Sequence, residues 1–152
     1  MATRFPLQTL LDHARHRMEA AERLLLMIRR KEDAARLKHE ELDRYRSEYM
    51  VRLSGTSQGG MDIQMLRDFH VFLGKLDQAI RNQAAEVERM HSRWLAAHEN
   101  WLALRQKVKS FEVLQGRHQR AELWRQDRQD QRQSDELSSR KAAIARMIER
   151  QG

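Results

Sequence analysis

Apolar residues recur along this chain at alternating spacings of four and three, in two long blocks. In the first block, positions 7, 11, 14, 18, 21, 25, 28, 32, 35, 39, 42, 46, 49 and 53 form one stripe, and eleven of the fourteen are apolar. The second stripe runs through 66, 69, 73, 76, 80, 83, 87, 90, 94, 97, 101, 104, 108 and 111, with thirteen of fourteen apolar. A 3.5-residue period kept over so many heptads predicts coiled-coil helices rather than ordinary surface helices. Between the blocks, Ser54 to Gly60 reads SGTSQGG, the one concentration of helix-breaking residues. The predicted fold is all-α, a single antiparallel coiled-coil hairpin. Helix one covers about 6–53, the loop 54–61 and helix two about 62–150. Pro6 suits the first turn of helix one, and Asp62 suits the start of helix two.

A short connection favours antiparallel neighbours, whose residue numbers then add to a constant. A total near 115 sets Ala14 against Trp101, Ala21 against Trp94 and Met18 against Ala97, so that each indole meets a small side chain. It also sets Glu32 against Gln83, a polar layer able to fix register. A heptad shift to 122 would bring Trp94 onto Ile28, which argues for 115. On that register pairing ends near Phe111, and residues 114–152 overhang. Their stretch from Arg125 to Glu136 has no apolar residue. The overhang is read either as a frayed end or as a docking segment, with Gly116 as a hinge or simply a tolerated helical glycine.

Composition supports the helical reading, because the single proline is Pro6 and Ala, Leu, Glu, Arg, Lys and Gln dominate. With no cysteine, disulfide scaffolds and thiolate zinc sites are excluded. The opening residues lack the apolar core of a signal peptide, and the longest apolar run, Leu24 to Ile28, is far short of a membrane span. A cytoplasmic, soluble protein is expected. The net charge of +7 is spread evenly, with no basic arm of the kind that grips nucleic acid. No phosphate loop or nucleophile motif is present, so neither an enzyme nor a cofactor is expected. His13 and His16 lie three apart, but two ligands without a third do not make a metal site.

Apolar surface outside the stripe is more informative. Tyr45 and Phe72 fall just before a stripe residue, at heptad position g, where charge is usual. The g positions of antiparallel helices share one side, so these two aromatics are expected to be neighbours. Leu42, Tyr49, Leu76 and Ala79 complete a ledge suited to a protein partner.

Several segments carry a family resemblance: FPLQTLLDHA at the start, YRSEYMVRL before the loop and FHVFLGKLDQAI after it, the tryptophan-bearing RWLAAHENWLALRQKVKSFEVLQ, and the polar RQDRQDQRQSDELSSRK. In order and spacing the chain resembles the FliJ family of the bacterial flagellar type III export apparatus. That resemblance implies a hairpin like the stalk of rotary ATPase gamma subunits, seated in the ring of the export ATPase FliI. It also implies contact with the export gate protein FlhA and with export chaperones, and peripheral association with the cytoplasmic side of the inner membrane. The implied gate-binding residues map to Leu42, Tyr45, Tyr49, Phe72, Leu76 and Ala79, the ledge reached from heptad geometry. Lys38 and Gln83 border it and differ from the family's polar residues. The alternatives are the equivalent stalk of a virulence-type secretion system and, from another class, a basic coiled-coil protein binding nucleic acid.

Overall fold

A computed structural model of the chain describes residues 3–57, 59–60 and 62–152. It contains two helices, α1 (Gln8–Ser57) and α2 (Ile63–Gln151), and no strand among the described residues. The architecture is the all-α helical hairpin that the two stripes predict. Every one of the fourteen positions of the first stripe is shielded from solvent at least in part, and of the second stripe's positions only Leu66 is exposed. The heptad stripe is therefore the line of burial. No described helix is long and apolar enough to cross a membrane.

Local chemistry explains where the helices begin and end. Pro6 sits in a turn closed by the Gln8 amide donating to the Phe5 carbonyl at 3.1 Å, and α1 starts there because proline has the helical φ and no donor to lose. The helix runs through Gly55 to Ser57, four residues past the expected end at 53. Glycine weakens a helix without forbidding it, and the Thr56 hydroxyl donates back to the Arg52 carbonyl at 2.9 Å, extending the last turn. Gly60 takes φ of 84°, a left-handed conformation that a side chain would strain. Gln58 and Met61, which fall in the expected loop, lie outside the described residues. The Asp62 carbonyl accepts from the Leu66 amide at 3.1 Å, so Asp62 stands at the threshold of α2.

The chain divides into two compact units, Arg17–Leu104 and Met1–His16 with Arg105–Gly152. Within Arg17–Leu104 the buried residues are Ala21, Glu32, Ala35, Leu76, Met90 and Leu104. Contacts across this seam correct the expected register. Glu32 meets His91 and Arg46 meets Asp77, numbers that total 123; Gln83 reaches the Ala35 carbonyl, a total of 118. The alignment thus lies close to the heptad-shifted alternative and not at 115. Glu32 does not pair with Gln83. Trp94 does not face Ala21; the Arg29 guanidinium lies 4.9 Å from its ring centre, eight residues or ~12 Å further along α1.

The physical reason lies in the carboxylate. Glu32 is wholly buried with Arg36 and Arg29 beside it on α1, and the observed register adds His91 of α2 as a partner across the seam where a total of 115 would set the amide of Gln83. In the observed register its Oε1 accepts from Arg36 Nη2 at 2.7 Å and lies 3.0 Å from His91 Nδ1, with Arg29 Nη1 3.5 Å from Oε2. The indole escapes crowding by lying half-buried at the seam edge, stacked on His98 at 4.9 Å and covered by Arg29.

In the other unit, Leu11, Ala14 and Val108 are buried, and burying a leucine of this kind is worth about 1.5–3 kcal/mol. Beyond Phe111 the half-buried line continues through Gln115, His118 and Glu122. Gln115 Nε2 donates to Gln8 Oε1 at 2.9 Å, and His118 packs its ring on Phe5 at 5.7 Å with Nε2 2.9 Å from the Thr3 carbonyl. The Thr3 hydroxyl donates to Glu122 Oε1 at 2.7 Å. Pairing therefore extends to Glu122, and the uncovered stretch of α2 starts after it rather than at Leu114. Gly116 is an ordinary helical residue within the paired region, and α2 passes through it without interruption.

Candidate partner-binding ledge

The last four turns of α1 and the first four of α2 bring four aromatic rings together. Tyr49 lies at the centre, 4.5 Å from Phe72 and 5.0 Å from Phe69. Tyr45 meets Phe72 edge to face, with ring centres 6.3 Å apart and planes at 78°. That geometry sets the positive edge of one ring against the negative face of the other. Tyr45 remains 45% exposed, while Phe69, Phe72 and Tyr49 are half-buried. The neighbouring pair expected from heptad lettering is thus present. Leu76 is buried beneath it, and Leu42 and Ala79 are half-buried alongside.

Electrostatics differ on the two sides of this stretch. On the ledge side, burial pushes the Tyr49 phenol above its usual range, with Tyr45 and Asp68 adding to the effect, so Tyr49 presents a neutral hydroxyl. On the other side, Arg46 Nε donates to Asp77 Oδ1 at 2.6 Å, which holds the guanidinium charged even more firmly than usual. Arg46 occupies a stripe position, and this ion pair is how the seam accommodates it. Lys38 is exposed, and Gln83 is committed to the Ala35 carbonyl.

Tyr49, Met65, Asp68, Phe69 and Phe72 line a shallow hollow at the loop end. Phe69 and Met65 belong to this surface and were missed by the sequence reading. The stripe places Phe69 in the seam, yet the stripe is incompletely covered here, next to the exposed Leu66. The legible signal was a second phenylalanine three residues before Phe72, on the same helical face.

Residues 3–146 match the family described as "Flagellar FliJ protein". The chain belongs to this family. Two curated relatives, both named "Flagellar FliJ protein", come from Escherichia coli (strain K12) and Salmonella typhi. Each is 28% identical over 142 residues, covering 93% of this chain and 97% of the relative. No solved structure matches. Membership places the ledge in a flagellar protein. Among the described residues, no group of three or more histidine, cysteine or acidic side chains is placed to hold a metal ion.

Proposed function

We propose that this chain is a non-enzymatic adaptor of flagellar type III protein export, linking the export ATPase to the export gate. The observation that carries this reading is the exposed aromatic ledge on a chain whose family is flagellar. A coiled coil that served only as a spacer would gain nothing from Tyr45 and Phe72 at positions where charge is the rule. The ledge of Leu42, Tyr45, Tyr49, Phe72, Leu76 and Ala79 takes the gate protein, the paired terminal end takes the ATPase ring, and export chaperones are further partners. The protein works in the cytoplasm and reaches the inner membrane through the export apparatus. The flagellar names of both relatives favour this role over a virulence-type stalk.

The test is a pull-down of the purified protein with the export ATPase and with the cytoplasmic domain of the gate protein. Capture of both is expected. Replacing Tyr45→Ala with Phe72→Ala should leave helicity nearly intact and weaken gate binding at least about tenfold. Wild-type affinity in the double variant would make the ledge ordinary packing. A deletion strain that still exports flagellin would sink the export role itself.

A further inference from the structure

Further along both helices from Tyr45 and Phe72, a second surface breaks the coiled-coil rule. Leu26, Leu95 and Leu102 are 57%, 48% and 43% exposed, although they sit at outward heptad positions usually given to polar residues. Leu26 lies one turn before Arg29 on α1, and Leu95 and Leu102 lie one heptad apart on α2. Between them runs a cationic and aromatic floor. Trp94 stacks on His98 with planes 17° apart, and Arg29 lies over the same indole while remaining half exposed. Among the described residues, the carboxylate bonded to this Arg29 is Glu32, which is fully buried and also held by Arg36 and His91.

We infer that Leu26, Arg29, Trp94, Leu95, His98 and Leu102 form a second docking surface, one that takes an acidic amphipathic helix from another protein. Leucines spaced by a heptad match the apolar stripe of a helix laid along the rod. The guanidinium between them selects a partner whose stripe is edged by carboxylates, because Arg29 lies over the indole and is half exposed. A second copy of this chain fits poorly, since it carries a net charge of +7 and would bring like charge to the strip. Nucleic acid would find phosphate partners here but would leave the three leucines in water. This surface is independent of the gate-binding ledge and stands or falls separately.

The probe is a synthetic amphipathic helix of about three heptads, with leucine on its apolar face and glutamate on both flanks, carrying a fluorophore for anisotropy against the full chain. A twin peptide with lysine for glutamate is the control. The acidic peptide should bind, and the lysine twin should not. Leu26→Gln, Leu95→Gln and Leu102→Gln together should weaken binding at least about tenfold. All three side chains are exposed, so the fold is retained. A matched triple change at Val71, Leu123 and Leu137, exposed residues elsewhere, should have little effect. Arg29→Glu should reverse the preference between the peptides, and Glu32 keeps its Arg36 and His91 partners in that variant. Absence of binding, equal loss in the matched triple variant, equal binding of the lysine twin, competition by duplex DNA, or self-association that blocks the peptide would each overturn the inference.

Discussion

Two polar interruptions of the seam, one in each unit, are built from the same kinds of group and are held very differently. In Arg17–Leu104, Glu32 is wholly buried and its two oxygens are shared among Arg36, His91 and Arg29. In the other unit, Thr3, Gln8, Gln115, His118 and Glu122 make a polar clasp whose bonds lie mostly in contact with water. Burial is what separates them. A buried carboxylate that loses a partner has no solvent to replace it, so the His91 contact, which crosses the seam, ties the register to Glu32. An exposed hydrogen bond exchanges readily with water, so the clasp continues the pairing while adding little stability.

The largest effect is expected from Arg36→Ala, which removes the 2.7 Å partner of Glu32. It should cost about 2–3 kcal/mol, read as a lower urea midpoint. Arg15→Ala, which breaks an exposed ion pair to Glu112 at 3.4 Å, is the reference and should cost at most about 0.5 kcal/mol. Equal losses in the two variants would erase the contrast between the units.

A steric test in the same unit comes next. Ala21 is only 7% exposed, so Ala21→Leu should destabilise the seam by about 1–3 kcal/mol through overpacking, seen as a fall in Tm. An unchanged Tm would mean that the seam near Ala21 has slack, and that Glu32 alone fixes the alignment there.

The smallest effect belongs to the clasp. The Thr3 hydroxyl, the Thr3 amide and the nearby Arg125 and His118 charges hold the Glu122 carboxyl below its ordinary value of 4.5, against a smaller opposing effect of burial. A lowered folded value means that the contribution is complete above 4.5 and fades as pH falls through the folded value. The Thr3 methyl resonance, followed by NMR, should titrate with a midpoint below 4.5, and Glu122→Gln should abolish that transition. A midpoint at 4.5 would leave Thr3 without a hold on the carboxylate.

Much of the fold was legible because a 3.5-residue stripe has one economical use. The positions that the stripe names are, with the exception of Leu66, those the structure shields. The juxtaposition of Tyr45 and Phe72 was legible for the same reason, since heptad lettering assigns both to one side of the seam. Register was not, because it depends on comparing alternatives a heptad apart. Matching large indoles to small alanines favoured one alignment; the observed one instead gives the buried Glu32 a partner across the seam in His91. The extension of pairing to Glu122 was hidden because its seam residues are Gln115, His118 and Glu122, which an apolar pattern does not register. The exposed leucines at 26, 95 and 102 were visible as letters, but only burial shows that nothing covers them.

The sequence by itself determined that this chain forms two long helices, which residues face inward, and which aromatics stand side by side. These follow from local periodicity and from the conformational limits of proline and glycine. Only the tertiary structure decided which heptad meets which, how Glu32 is neutralised, and where α2 loses its partner. Those outcomes rest on competition between nearly equivalent pairings, and the contact of one buried carboxylate with His91 favours the alignment observed.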